Sequence, residues 1–423
     1  MGYVADAPLL PHALPVRKPR VSNHYGRHLL RAVVVILIIF TVLIFAIFLP
    51  RNGQFNCFAK FFTHIKSHQM VDFPLRTVNN MLSTMKNRLL DTSLLGVEEH
   101  QLAQWNPVSL TLIMSTAPVL HHKSEKEIIA EFVYNIQSVV YPDVEHVYNA
   151  PDLNNLRILV HNDAHVNNTM LRFVINNVMP GLLHRGVIVL LPSMERHHFN
   201  TLVHQAVQNE NSLHSKSKPI QKRMNCNAAR NARLSLDYSY ALAYAARLDI
   251  ALISRHSNQS CKRRYYNYLP HQLLPSSVDW WSTLSLYMND KLSPLVSTSC
   301  FANRLSEVKV NDWLMLSTYT SDLNTAVLDT DFEIDDSGRA LLQDGVAYSI
   351  DHVAGLPGQL MSHVVLAPLA AFLRVRYSHK NGPVGAFHEF LHIVEEAKVL
   401  RAAVNNKHGI YAMVPSLFDY AME

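Results

Sequence analysis

Two short patterns near the carboxyl terminus have the residue types that metal chemistry needs. His388-Glu389-Phe390-Leu391-His392 is a literal HExxH. On a helix its histidines fall on one face, four residues apart, and the glutamate can activate a zinc-bound water. A third ligand would have to come from Glu395, Glu396, His408, Asp419 or Glu423. Glu395 and Glu396 lie within one turn, too close for the usual zinc geometry, and a chain with 24 histidines offers such matches by chance. The segment 387–404 therefore reads as a solvated, amphipathic C-terminal helix, with a membrane metalloprotease as the lesser reading. Asp329-Thr330-Asp331 follows Ala326-Val327-Leu328, as the DxD metal site of a sugar-nucleotide transferase does. The acids continue through Glu333, Asp335 and Asp336, so a solvated acidic turn competes with metal binding by Asp329 and Asp331.

Any such site needs elements to position it and a compartment to work in. Residues 32–49 are apolar except for Thr41. At 1.5 Å per residue, 29–49 approaches the roughly 30 Å of a bilayer core. Arg17, Lys18, Arg20, Arg27 and Arg31 precede the run, with Asp6 as the lone acid, so the amino terminus is expected in the cytosol and the body in the lumen. The run is long for a cleaved leader, and no small-residue cleavage pattern comes after it. Lumenal exposure makes the sequons at Asn167 and Asn258 candidate glycosylation sites. The formal charge of +5 is concentrated in the first 31 residues and does not point to nucleic acid. Four scattered cysteines exclude a disulfide scaffold or a CxxC zinc site, though Cys57, just past the span, could cross-link two stems.

The expected plan is a cytosolic tail (1–31), a signal anchor (32–49), a lumenal stem (50–107), a globular domain (108–360) and a helical extension (361–423). Strands are expected over 108–114, 156–160 and 187–191, separated by helices over 125–140 and 169–183. A long helix over 227–248 should lead straight into a fourth strand at 250–253. Helices alternating with short β-branched strands define an α/β fold with a mostly parallel sheet. Such sheets bind ligands at the carboxyl ends of their strands. The second apolar patch, 364–373, is too short to span a bilayer and contains Pro368, so it is expected in the core.

Within this framework, VSLTLIMSTAP at 108–118, RLSLDYSYALAYA at 233–245 and DIALIS at 249–254 resemble the N-acetylglucosaminyltransferase IV family. So do VDWWSTLSLY at 278–287, LSPLV at 292–296, VNDWLM at 310–315 and DHVAG at 351–355. Each match is short; order and spacing agree over 108–360. The resemblance implies a GT-A-like, inverting glycosyltransferase of the Golgi. It would take GlcNAc from UDP-GlcNAc to a mannose of glycoprotein N-glycans, with a divalent cation such as Mn2+ as the family's usual aid, and could associate with other Golgi glycosyltransferases.

The resemblance also assigns roles. Asp312 would take the acceptor proton; a helix N-cap is the alternative. His352 would meet metal or diphosphate. Arg233 and Asp237 would lie near the nucleotide, or else form an ion pair four residues apart. In the family an acidic cluster succeeds the strand after the Leu-Asp-Tyr helix. Here that place is expected at Ser254-Arg255-His256-Ser257, with no carboxylate, so Arg255 and His256 become the candidates for holding the diphosphate. Two functions of different class emerge: an active transferase, and a non-catalytic relative that binds and regulates one.

Overall fold

The computed structural model describes residues 76–116, 124–141, 150–162, 166–192, 196–213, 218–255, 263–270, 273–275, 279–292, 316–319, 333–334, 340–341, 346–348, 355–379, 381–396, 410–412 and 416–420. The chain divides into Met1–Met70 and Val71–Glu423, and every described residue belongs to the second unit. No helix among the described residues is long and apolar enough to cross a membrane. The expected anchor at 32–49 lies outside them.

The fold is mixed α/β. Helix α1 (76–90) and the short α2 (Glu99–Leu102) precede β1 (Leu110–Ser115) and α3 (Glu125–Val140). Then come β2 (Leu156–His161), α4 (Asn168–Val178), β3 (Ile188–Leu190), α5 (Arg196–Leu213) and α6 (Lys218–Arg255). Strands β4 (Tyr265–Pro270) and β5 (Leu273–Pro275) lead to α7 (Trp280–Leu286) and β6 (Leu316–Ser317). The hairpin β7 (Glu333–Ile334) and β8 (Ala340–Leu341), then β9 (Val346–Tyr348) and β10 (Gln359–Ser362), come before α8 (His363–Val375) and α9 (Gly382–Glu396). Strands β11 (Ile410–Ala412) and β12 (Phe418–Tyr420) come last. Eight strands form one sheet in the order β3-β2-β1-β4-β10-β6-β11-β9. The block β3-β2-β1-β4 is wholly parallel, and β10 lies antiparallel against β4.

The central strands are buried on both faces, which is why they read as nearly continuous apolar runs. On one face Leu110, Leu112 and Met114 meet α3, α4 and the tryptophans of α7. On the other, Ile113, Leu159, Val189, Tyr266 and Tyr268 meet α6, α8 and α9. The crossovers explain the two layers. From β1 to β3 the chain moves outward along one face; to return past β1 and add β4 it must cross on the other, because parallel crossovers are right-handed. Helix α3 starts on a capping box in which Ser124 N–H donates to Glu127 Oε2 at 2.6 Å and Glu127 N–H to Ser124 Oγ at 3.4 Å.

Three expectations are corrected. Residues 250–253 are not a strand: α6 runs unbroken to Arg255. Ala241, Ala245, Leu248 and Leu252 keep one apolar stripe through a stretch that has no Gly or Pro to stop it. The fourth parallel strand is Tyr265–Pro270, whose aromatic residues suit a pleated surface. Secondly, the stem does not extend to 107, since Val78, Leu82, Leu89, Leu95 and Trp105 join the core beneath α6. Thirdly, the boundary at 360 falls inside β10, and the chain beyond it is not an appendage. Helix α8, the 364–373 patch, is buried from His363 through Leu373 and is the chief partner of α6. Each large side chain buried there contributes about 1.5–3 kcal/mol. Helix α9 is likewise not simply solvated: Ala386, Phe387, Phe390, Leu391 and Ile393 are buried, with the Phe390 ring 5.5 Å from that of Phe372.

Candidate functional site

The strand order changes direction between β1 and β4, where an open α/β sheet leaves a crevice at the carboxyl ends of its strands. The groups there are Ser115 and Thr116 after β1, His161 and Asn162 after β2, Leu191-Pro192 after β3 and Pro270 closing β4. Ser115, Thr116 and His161 are buried, and Thr116 N–H donates to His161 O at 3.0 Å. Asn162 donates to Val166 O at 2.6 Å and to Asn168 Oδ1 at 2.5 Å. Asn167, exposed, caps α4 by accepting from Thr169 N–H (2.8 Å) and Met170 N–H (3.2 Å).

Helix α6 covers this end. Tyr240 donates its hydroxyl to Pro192 O at 2.7 Å, and its ring lies 5.8 Å from that of His161. Burial pushes the Tyr240 phenol up to about 12, so it stays a protonated donor. Two residues earlier, Tyr238 meets Tyr268 of β4 edge-on at 4.8 Å. Asp237 is buried on the same helix with Arg233 Nε 3.9 Å from its Oδ2, so the two residues form an i,i+4 pair three residues before Tyr240. On the far side of β4, Asn267 donates to Thr318 Oγ1 at 2.9 Å and Gln359 to Ser317 Oγ at 3.1 Å.

Arg255 is not at this end. Helix α6 descends from Tyr240, at the carboxyl end of β3, to Asp249, which pairs with Arg264 just before β4 begins. Fifteen residues separate Tyr240 from Arg255, about 22 Å of helix. Arg255 instead donates to Glu99 Oε1 at 2.8 Å. The strand that succeeds the Leu-Asp-Tyr helix closes at Pro270, and His271 and Gln272 lie outside the described residues. Among the described residues there is no group of three metal-capable side chains. His256, Asp312, Asp329, Asp331, His352 and Asn258 lie outside the described residues. In the HExxH segment, Glu389 is taken by Arg376, whose Nε and Nη2 reach both carboxylate oxygens, with His379 Nε2 3.7 Å away.

The amino ends of the same strands carry a different chemistry, which sequence reasoning missed. Asp249 accepts from Arg264 at 2.6 and 3.0 Å in a buried pair. Arg157, inside β2 and 4% exposed, donates through Nε to Gly186 O (2.9 Å) and Nη2 to Asn106 O (2.8 Å), with Trp105 5.8 Å away as a cation–π partner. Burial lowers its pKa to about 10. The unfolded chain then holds more protons above about pH 10, so the cost of burying this charge is present at neutral pH and is relieved as pH rises past that point. A lone arginine in an apolar strand was the available signal: Leu156-Arg157-Ile158-Leu159-Val160. A cavity of about 220 Å³ opens beside it.

The fold thus defines a mixed α/β protein with a parallel, doubly wound core and helices on both faces. Comparison with known proteins brought no particular relative: no family model, no curated protein and no solved structure matches the chain.

Proposed function

We propose that the chain is a type II Golgi membrane glycosyltransferase with a GT-A-like body, transferring GlcNAc from UDP-GlcNAc to a mannose of N-glycans with inversion. The observation that supports this best is the strand order β3-β2-β1-β4 with its switch-point crevice covered by the helix that bears Arg233-Leu-Ser-Leu-Asp237-Tyr238. The same segment carries the family resemblance. In such a reaction the acceptor hydroxyl attacks the anomeric carbon opposite the diphosphate, the bond to UDP breaks, and a carboxylate takes the hydroxyl proton. The resemblance assigns that proton to Asp312.

A second reading rests on one specific feature. Ser254-Arg255-His256-Ser257, which the resemblance matches to the family's acidic cluster, holds no carboxylate, which favours a non-catalytic relative that binds a transferase or glycoprotein and regulates it. Calorimetry of UDP-GlcNAc with the full chain in detergent, in Mn2+ and in EDTA, followed by a transfer assay on mannose-terminated N-glycans, separates the two. EDTA-indifferent binding with transfer supports the enzyme. Binding without transfer supports the regulator. No binding of any sugar nucleotide overturns the transferase reading.

A further inference from the structure

We propose that the cavity at the amino ends of β1 and β2 binds a small dianion of the phosphate class, at a site separate from the switch-point crevice. Its polar lining is Gln104, Asn106, Asn154, Arg157, His184 and Arg185, with no carboxylate among the described lining residues. Two arginines and a histidine line one space, and a buried cation is costly unless a counter-charge meets it.

Arg157 is built for that meeting. Two carbonyl oxygens fix its plane through Nε and Nη2, and Nη1 has no partner among the described residues. Asp249, whose field reaches Arg157, is already taken by Arg264 through both oxygens. The guanidinium fork matches an oxyanion with two parallel hydrogen bonds. The wall behind it is rigid: Trp105 donates to His184 O at 3.2 Å and lies flush on Gly186. At φ +69°, Gly186 leaves the ring the space a Cβ would take. At the rim, Arg185 is exposed and reaches Asn154 Oδ1 at 3.4 Å, a long contact that a stronger acceptor can displace. The volume of about 220 Å³ is below the 300–1,000 Å³ usual for drug-sized ligands. A phosphate carrying a few further heavy atoms fits; a nucleotide sugar does not.

The test is titration of the full chain in detergent with inorganic phosphate at constant ionic strength and pH 7.5, read by calorimetry and by the unfolding midpoint. Malonate serves as the carboxylate control. Saturable binding is expected, with the midpoint rising as phosphate is added. R185E, a rim change that need not disturb folding, is expected to weaken phosphate at least tenfold. R157K, which keeps the charge and loses the fork, is expected to abolish saturation. UDP-GlcNAc titrations of R185E should match wild type, so failure of this site and failure of the proposed transferase are read separately. Equal phosphate curves for wild type, R185E and R157K would overturn the proposal, and so would tighter binding of malonate than of phosphate.

Discussion

At the carboxyl ends of β1–β4 the described side chains are hydroxyls, rings, amides and one buried carboxylate, Asp237, with the half-exposed Arg233 3.9 Å from it. At the amino ends of the same strands two arginines are buried, Arg157 on backbone carbonyls and Arg264 on Asp249. The asymmetry arises from the parallel block. Crossover helices begin above the carboxyl ends of the strands and finish below their amino ends, so amide N–H groups gather at one end and orphan carbonyls at the other. At the first end, Ser124 and Asn167 supply acceptors that cap α3 and α4. At the second, cations meet the last turn of α6, as Arg255 does there. A crevice at the carboxyl end can therefore favour an anionic ligand through backbone dipoles alone, whereas the amino end has done so with whole charges.

The comparison breaks most visibly at the buried pair. Asp249→Asn leaves Arg264 charged and half-matched inside the fold, and we expect a loss of about 3–5 kcal/mol in denaturant unfolding. Replacing both partners with apolar residues of similar volume should cost far less, because no charge is then left behind. If the single substitution costs under about 1 kcal/mol, below what an unpaired buried charge demands, the amino end does not depend on paired charge. Next in size is Gly186→Val. A Cβ there would stand 2.4 Å from the Trp105 ring, at a positive φ that β-branched residues avoid. About 2 kcal/mol or more should be lost, read by thermal unfolding, with the phosphate response lost alongside.

How much of this was legible in the sequence differs between the two ends. Strands 110–115, 156–161 and 188–190 and the helix 125–140 announce themselves by period, and their carboxyl-end residues are legible with them. The fourth strand is misplaced in the sequence because Ile250-Ala251-Leu252-Ile253 satisfies both a strand pattern and a helix stripe, and only packing against α8 decides between them. That ambiguity carries Arg255 to the wrong end of the molecule. Tyr265 to Pro270 has aromatics that favour a strand, but no apolar alternation marks it out. The Arg157 cavity is illegible for a different reason. Its lining comes from three separate segments, including residues 104–108 that composition assigns largely to a stem, and no local spacing links them. Asp312, Asp329, Asp331 and His352 fall outside the described residues.

A smaller effect sharpens the carboxyl end. Tyr240→Phe removes the 2.7 Å hydrogen bond to Pro192 O and leaves a part-buried carbonyl short of one donor. About 1 kcal/mol of stability should go. If the crevice is the donor site, UDP-GlcNAc affinity should fall too, since the ring that fixes the roof over β3 loses its tether. Unchanged affinity would place the nucleotide elsewhere.

The smallest expected effect concerns Arg255, and it tests which end the residue serves. Its partner Glu99 is 86% exposed, and exposed pairs contribute between about 0 and 1 kcal/mol. Arg255→Ala should therefore move the unfolding midpoint little. The sequence alone made Arg255 the stand-in cation for the diphosphate, which predicts a collapse of sugar-nucleotide binding when it is removed. The fold predicts none, because about 22 Å of helix separates it from the crevice. A calorimetric titration of UDP-GlcNAc into R255A distinguishes the two. Affinity within twofold of wild type would keep donor binding at the carboxyl ends of the strands. A tenfold or greater loss would move it to the end where the arginines are.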